Sequence, residues 1–335
     1  MRLVQLSGPS GRRVAVVHET ENATPQLCLL ADCASVYDLA SECVSTGLPF
    51  QAAVEKRETS DFLDYDPIYR GLSKWRLLPS ADMPSAPTRC LVSGTGLTHQ
   101  ASAKNRDAMH AGTQAVTDST RMYLSGVEGG KPAAGKEGIS PEWFYKGTGD
   151  ILRAHGEALE VPSFAEDGGE EPEIAGVYII DKQGKPRRIG FTIGNEFSDH
   201  VFERKNYLYL ASSKLRSCAI GPELVIDAAF DLIPGEVSVE RDNAVLWSSP
   251  IQTGESHMCH SLTNIEHHHF KFDGHRRPGD LHIHFYGADA FSFGAGVMLQ
   301  DGDIMQVRFD GFGRPLRNPL RRVPVSTKTV TVSPL

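Results

Sequence analysis

The stretch from Glu170 to His200, EEPEIAGVYIIDKQGKPRRIGFTIGNEFSDH, constrains this chain more than any other. Ile174 to Ile180 is apolar and rich in β-branched residues, Asp181 to Pro186 holds turn formers, and Arg187 to Asn195 resumes an extended pattern. Together they predict a β-hairpin. With the turn centred between Gln183 and Gly184, antiparallel counting sets Glu171 opposite Glu196, and the two-residue period puts Glu173 on the face of Glu171. Three carboxylates then converge. Like charges at such spacing raise one another's pKa unless a cation lies among them. Hard oxygen donors with positions left for water or substrate suit Mg²⁺, with Mn²⁺ or Ca²⁺ as other fits. Spacing alone leaves a second reading open, in which these are solvated acids at the end of an exposed hairpin.

The 335 residues carry a net charge of −8 without a dense Lys/Arg run, which argues against nucleic acid as a partner. The six cysteines (Cys28, Cys33, Cys43, Cys90, Cys218, Cys259) lack CxxC spacing, so reduced thiols are expected rather than a disulfide framework or a zinc ribbon. In MRLVQLSGPSGRRVAVV the apolar run is broken by Gln5, Gly8, Pro9, Arg12 and Arg13, and no later run approaches the ~20 apolar residues of a membrane span. A cytoplasmic protein with no membrane partner is the expectation.

Short strands at Leu3 to Leu6, Arg13 to His18 and Gln26 to Leu30, then helices at Val36 to Thr46 and Phe50 to Lys56, predict a small N-terminal α/β domain over 1–80. The Pro/Ser-rich LLPSADMPSAPTR breaks the pattern. The second domain, 88–335, opens with CLVSGTGLTH, a strand ending in a Gly-rich turn with His99 at the junction to a helix from Ala101 to Ala111. Gly126 to Gly138 reads as a surface loop. Beyond Ile174 strands dominate, giving an α+β chain. In HMCHSLTNIEHHHF, Met258, Leu262, Ile265 and His269 follow helical spacing, which favours a surface or interface helix over a zinc site. GTGLTH and FSFGAGV lack the spacing of a dinucleotide loop.

Six segments in order carry a family likeness: GTGLTH, PEWFYKG, EPE with the following NEFS, SSK before a Gly-Pro, RRPGD, and LQDGDIMQVRFDGFGRPLRNP. From about Leu77 to the C-terminus the chain resembles the fumarylacetoacetate hydrolase superfamily, and within it the 2-keto-3-deoxy sugar acid dehydratases. The resemblance implies a mixed β-roll catalytic domain, a homodimer, and a metal held by Glu171, Glu173 and Glu196, the last where the family usually has Asp. It places the active-site His at His99, the functional Lys at Lys214, and a substrate-side Lys at Lys146. Gly287, Ala288 and Asp289 stand where the family's Gly-Thr-Pro cradles the substrate carboxylate, without the Thr hydroxyl. His200, with Arg204 nearby, stands where relatives show Arg.

A 2-keto acid chelates such a cation through its carboxylate and keto oxygens, which makes loss of the C3 proton feasible near neutral pH. His99 and Lys214 are the expected proton carriers. Ser102 occupies the position where family hydrolases often have Glu, which favours a Mg²⁺-dependent dehydratase of a 2-keto-3-deoxy sugar acid such as 2-keto-3-deoxy-arabinonate. The alternatives are an acylpyruvate-type C–C hydrolase and a metal-binding module without chemistry.

Overall fold

Extended segments carry the architecture. The computed structural model describes residues 1–19, 24–101, 103–104, 117–326 and 329–335. Its strands are β1 (Arg2–Gly8), β2 (Gly11–His18), β3 (Gln26–Leu30), β4 (Glu58–Asp64), β5 (Arg76–Leu77), β6 (Cys90–Gly96), β7 (Glu142–Thr148), β8 (Leu152–Arg153) and β9 (Leu159–Val161). Then follow β10 (Pro172–Ile180), β11 (Pro186–Asn195), β12 (Cys218–Val225), β13 (Ile233–Arg241), β14 (Ala244–Thr253), β15 (Leu281–Phe285), β16 (Ile304–Phe309) and β17 (Leu316–Arg322). One large sheet runs β4-β3-β2-β1-β12-β11-β10-β15-β6-β7, with β5 beside β1 and β8 beside β12; the smaller runs β14-β13-β16-β17-β9. Mixed strand directions in both sheets, with helices set against them, make the α+β fold that was expected.

Strand β10 is buried along its whole length, so it reads as an unbroken apolar run rather than an alternating one. Ala175, Val177 and Ile179 face one core, shared with Val36, Leu39, Ala53 and Val54 of helices α1 (Val36–Thr46) and α2 (Phe50–Glu55). Ile174 faces a second core built by Val237, Val239, Val307 and Phe309 of the smaller sheet. Each Val, Leu, Ile or Phe among them contributes roughly 1.5–3 kcal/mol on burial. The central strands are therefore clamped from both faces.

The N-terminal strands extend the large sheet, since β1 pairs with β12 at Arg2↔Val225 and Leu3↔Leu224. The Pro/Ser-rich segment is anchored to both sides: Gln5 Nε2 donates to Pro79 O at 2.7 Å, and Ser80 Oγ donates to Thr192 Oγ1 at 2.8 Å.

The hairpin is present, with Pro172 opposite Asn195 and Glu173 opposite Gly194, and the pairing continues outward as Glu196 N donates to Glu171 O at 3.0 Å. Its turn is offset from the expected centre. Ile180 pairs with Pro186, and a bulge between Val177 and Tyr178 absorbs one residue of β11 before the acids are reached. Simple counting lands on the right partners because of that bulge.

Two readings are corrected. Gly126 does not open a loop: Asp118–Gly129 is a helix capped by Thr117, and a Cβ at Gly126 or Gly130 would overlap Cys259 or His260. The histidine-rich segment is a helix, Leu262–Phe270, but its Leu262, Ile265, His268 and His269 are buried. Of its histidines, His269 is taken up by the sheet beneath, where its Nε2 meets His282 Nδ1 at 2.9 Å, while His268 Nε2 meets Gly138 O at 3.0 Å and His267 stays exposed beside Glu137. The expected helix from Ala101 to Ala111 is described at Ala101, Ala103 and Lys104, and Ser102 lies outside the described residues. Among the described residues no helix is long and apolar enough to cross a membrane.

Candidate metal centre

The hairpin register brings Glu171, Glu173 and Glu196 together at the open end of β10 and β11. One oxygen from each lies within 4.8 Å of the others, and all three residues are buried. Glu171 sits just before β10, and Glu196 just after β11. Past Glu196 the chain turns at Phe197, φ +52°, Gly169 pairs with Ser198, and His200 opens the helix His200–Lys205, which brings Ser198 and His200 to the same centre.

Two lysines enter from other elements. In β7 the inward residues are Glu142, Phe144 and Lys146, and this alternation delivers the Lys146 ammonium to Glu196 Oε1, Phe197 O (3.1 Å) and Lys214 O (2.8 Å). Lys214, at the end of the short helix Leu210–Lys214, donates to both oxygens of Glu171 (2.7 and 2.8 Å), to Glu196 Oε2 and to Ser198 Oγ (2.8 Å). Its Nζ also lies 4.7 Å from the centre of the Phe144 ring. Buried ammonium groups held this way cannot be lost cheaply.

The acids are held unequally. Burial opposes ionisation of Glu171, but Lys214 and His200, whose Nε2 lies 2.9 Å from Glu171 Oε1, outweigh it and hold the carboxyl well below its usual range. Burial, then the charges of Glu196 and Glu171, push Glu173 well above it. Burial and Glu171 also raise Glu196, against the pull of Lys146 and Lys214. Glu173 accepts a hydrogen bond from Gly287 N at 2.6 Å, and among the described residues no cationic side chain pairs with it. A buried carboxylate without a cation, beside two others, is the feature a divalent ion would satisfy, and the all-oxygen donor set fits Mg²⁺.

The segment after β15 walls the centre. Gly287, at φ +97°, turns its N–H onto Glu173, and a Cβ there would overlap the Thr98 hydroxyl. Ala288 follows, buried, while Asp289 Oδ2 turns away to accept from Gln252 N at 3.0 Å. Ser292 Oγ donates to Glu170 Oε2 at 2.8 Å, and the Phe291 ring stacks on His200 at 4.7 Å. Glu170 and Ser292 were not singled out from the sequence.

His99 is placed differently from the other expected residues. Its Nδ1 faces Thr98 Oγ1 at 2.9 Å and its Nε2 faces Thr253 Oγ1 at 3.1 Å, rather than the acids. Burial pushes its pKa down to about 3, so the ring is neutral at pH 7. Thr98 in turn donates to Tyr286 O at 2.7 Å, next to Gly287. His99 thus reaches the centre through Thr98 and the backbone that orients the Gly287 N–H.

This arrangement has known counterparts in fold. The chain has the fumarylacetoacetate hydrolase fold, and the resemblance read from its motifs is borne out. A solved 2-keto-3-deoxy-D-arabinonate dehydratase complexed with magnesium and 2,5-dioxopentanoate superposes with a TM-score of 0.70 at 20% identity, covering 97% of this chain and all of the other. A 5-carboxymethyl-2-hydroxymuconate delta-isomerase from Mycobacterium smegmatis gives 0.57 at 17% identity, covering 96% and 100%. Among curated proteins, a probable 2-keto-3-deoxyxylonate dehydratase of Haloferax volcanii is 27% identical over 179 residues, 52% of this chain and 58% of that one. A 2-dehydro-3-deoxy-D-arabinonate dehydratase of Saccharolobus solfataricus is 38% identical over 91 residues, 27% and 29% of the two chains. The matches thus span about half or less of those relatives. No family model matches the chain.

Proposed function

We propose that this chain is a Mg²⁺-dependent hydro-lyase that dehydrates a 2-keto-3-deoxy sugar acid of pentonate size. The observation that carries the reading is the buried trio Glu171, Glu173 and Glu196 interlocked with Lys214, together with the names of the relatives above. Glu171, Glu173 and Glu196 would hold the ion. When bound it supplies a Lewis acid that polarises the keto group and favours departure of the C3 proton.

The chain's own groups do the rest. Lys214 is the best-placed proton carrier, because its Nζ lies among the acids and Ser198 rather than one residue removed, as His99 is. Held as an ammonium, it gives a proton to the C4 hydroxyl, which leaves as water, and the amine so formed takes the C3 proton; the resulting 3,4-enone with its C5 hydroxyl then tautomerises to 2,5-dioxopentanoate. Lys146 fixes Glu196 and the Lys214 carbonyl, and so sets where Nζ sits. The Gly287 and Ala288 backbone lies where it can face the substrate carboxylate, with His99 and Thr98 holding that turn in place. A homodimer and a cytoplasmic setting belong to the same proposal, with 1–80 and 88–335 as two segments that share one core.

The test is purified protein with Mg²⁺ and 2-keto-3-deoxypentonates, scored for 2,5-dioxopentanoate against pyruvate. Formation of the dioxo acid, lost with EDTA and in Glu171→Ala with unchanged circular dichroism, is expected. Full turnover by Glu171→Ala would sink the site, and pyruvate as product would sink the reaction.

A further inference from the structure

We propose a second metal site, in the N-terminal sheet, where His18, Cys28 and Glu58 take Zn²⁺ or a similar borderline-soft divalent ion and clip three strands together. It is independent of the carboxylate centre. Strands β2, β3 and β4 are successive neighbours, and each contributes one donor: an imidazole nitrogen, a thiol sulfur and a carboxylate oxygen, all within 4.8 Å of one another. The pairing is what gathers them, with His18 opposite Gln26, Val16 opposite Cys28 and Leu30 opposite Glu58.

The donors are already half organised. His18 Nε2 lies 3.1 Å from Glu58 Oε2, and Cys28 Sγ points at Thr59 O, one residue on, at 3.2 Å. A tetrahedral Zn²⁺ with bonds of about 2.0–2.3 Å sets its donors roughly 3.5 Å apart, so the trio closes by about an ångström. The two side chains that must move are free to do so. His18 and Glu58 are 38% and 30% exposed, whereas Cys28, 1% exposed, is the fixed anchor. Sulfur and imidazole beside one carboxylate select zinc over magnesium, the reverse of the all-oxygen centre, and a fourth position is left for water. Burial raises the Cys28 thiol, and nearby Glu58 and Asp61 add to this, so ion entry releases a proton and binding weakens in acid.

Co²⁺ as a zinc surrogate separates this site from the other, because only a sulfur ligand gives a thiolate-to-cobalt charge-transfer band. One equivalent of Co²⁺ added to the full chain should produce that band. It should persist in Glu171→Ala, vanish in Cys28→Ala, and require at least about tenfold more Co²⁺ in His18→Gln. In parallel, Zn²⁺ should raise the thermal midpoint of Glu171→Ala, and this upward shift should be lost when His18→Gln is added. Absence of the band from the native chain, or its survival in Cys28→Ala, overturns the proposal and leaves an ordinary His18–Glu58 ion pair beside a buried thiol.

Discussion

At the scale of single residues, the centre is a balance of three negative charges against two ammonium groups and a histidine, and the members contribute in opposite senses. Lys214→Met leaves Glu171 and Glu196 facing each other in the interior, which should cost about 3–5 kcal/mol in chemical denaturation. The rate should fall by about 10²–10⁴ in steady-state kinetics, and Mg²⁺ should restore part of the stability but not the rate. Glu173→Gln should do the reverse. Its carboxylate has no cationic partner among the described residues and repels two neighbours, so the amide should raise stability in cation-free buffer. The extra stability that Mg²⁺ confers on the native chain should disappear with it. Thermal melts of both variants with and without Mg²⁺ decide the matter: a Glu173→Gln chain still stabilised by Mg²⁺ contradicts its place as a ligand.

At the scale of elements, positions close in sequence could be read and positions brought together from afar could not. Glu171, Glu173 and Glu196 follow from one local hairpin and its two-residue period, so counting found them. The bulge in β11 could not be counted, because a bulge answers to neighbouring strands on both sides. The inward direction of Lys146 lay in the alternation Glu142, Phe144, Lys146, a signal present in the sequence and not used. The cage around His99 was out of reach, since Thr253 lies 154 residues further on. Ser198 and His200 lie beyond the left-handed Phe197 and at the start of a helix, so the strand period does not reach them. The turn at Gly287 shows how far an element can depend on one backbone angle. Gly287→Ala must adopt φ +97° and displace Thr98, at a cost of about 1–3 kcal/mol, and it should raise KM by moving the N–H off Glu173. Unchanged melting and kinetics in that variant would show that the turn is unstrained.

For the whole molecule, the buried histidines set the response to acid. Burial holds His99, His282 and His284 at about 3, against an ordinary 6.5. Their folded pKa values are depressed, so the unfolded chain binds protons first as pH falls. Stability from these rings is therefore complete above about pH 6.5 and is lost progressively from there down toward pH 3. Each ring contributes up to about 1.4 kcal/mol per pH unit in that window. His200 runs the other way, because Glu171 outweighs its burial and raises its pKa; its contribution is present below pH 6.5 and fades as pH rises past the raised value. Urea midpoints measured from pH 7.5 to 5 should fall, and His284→Gln should flatten the slope; a flat profile in the native chain would refute the assignment. Leu3 and Val14 share one core with Ala175, Val177, Ile220 and Leu224, while Pro84 and Ser85 between them lie exposed. A chain severed between Pro84 and Ser85 becomes two pieces, each carrying half of a common interior and neither able to cover it alone. Fused to two partners, they form a split reporter whose turnover appears only when the partners meet.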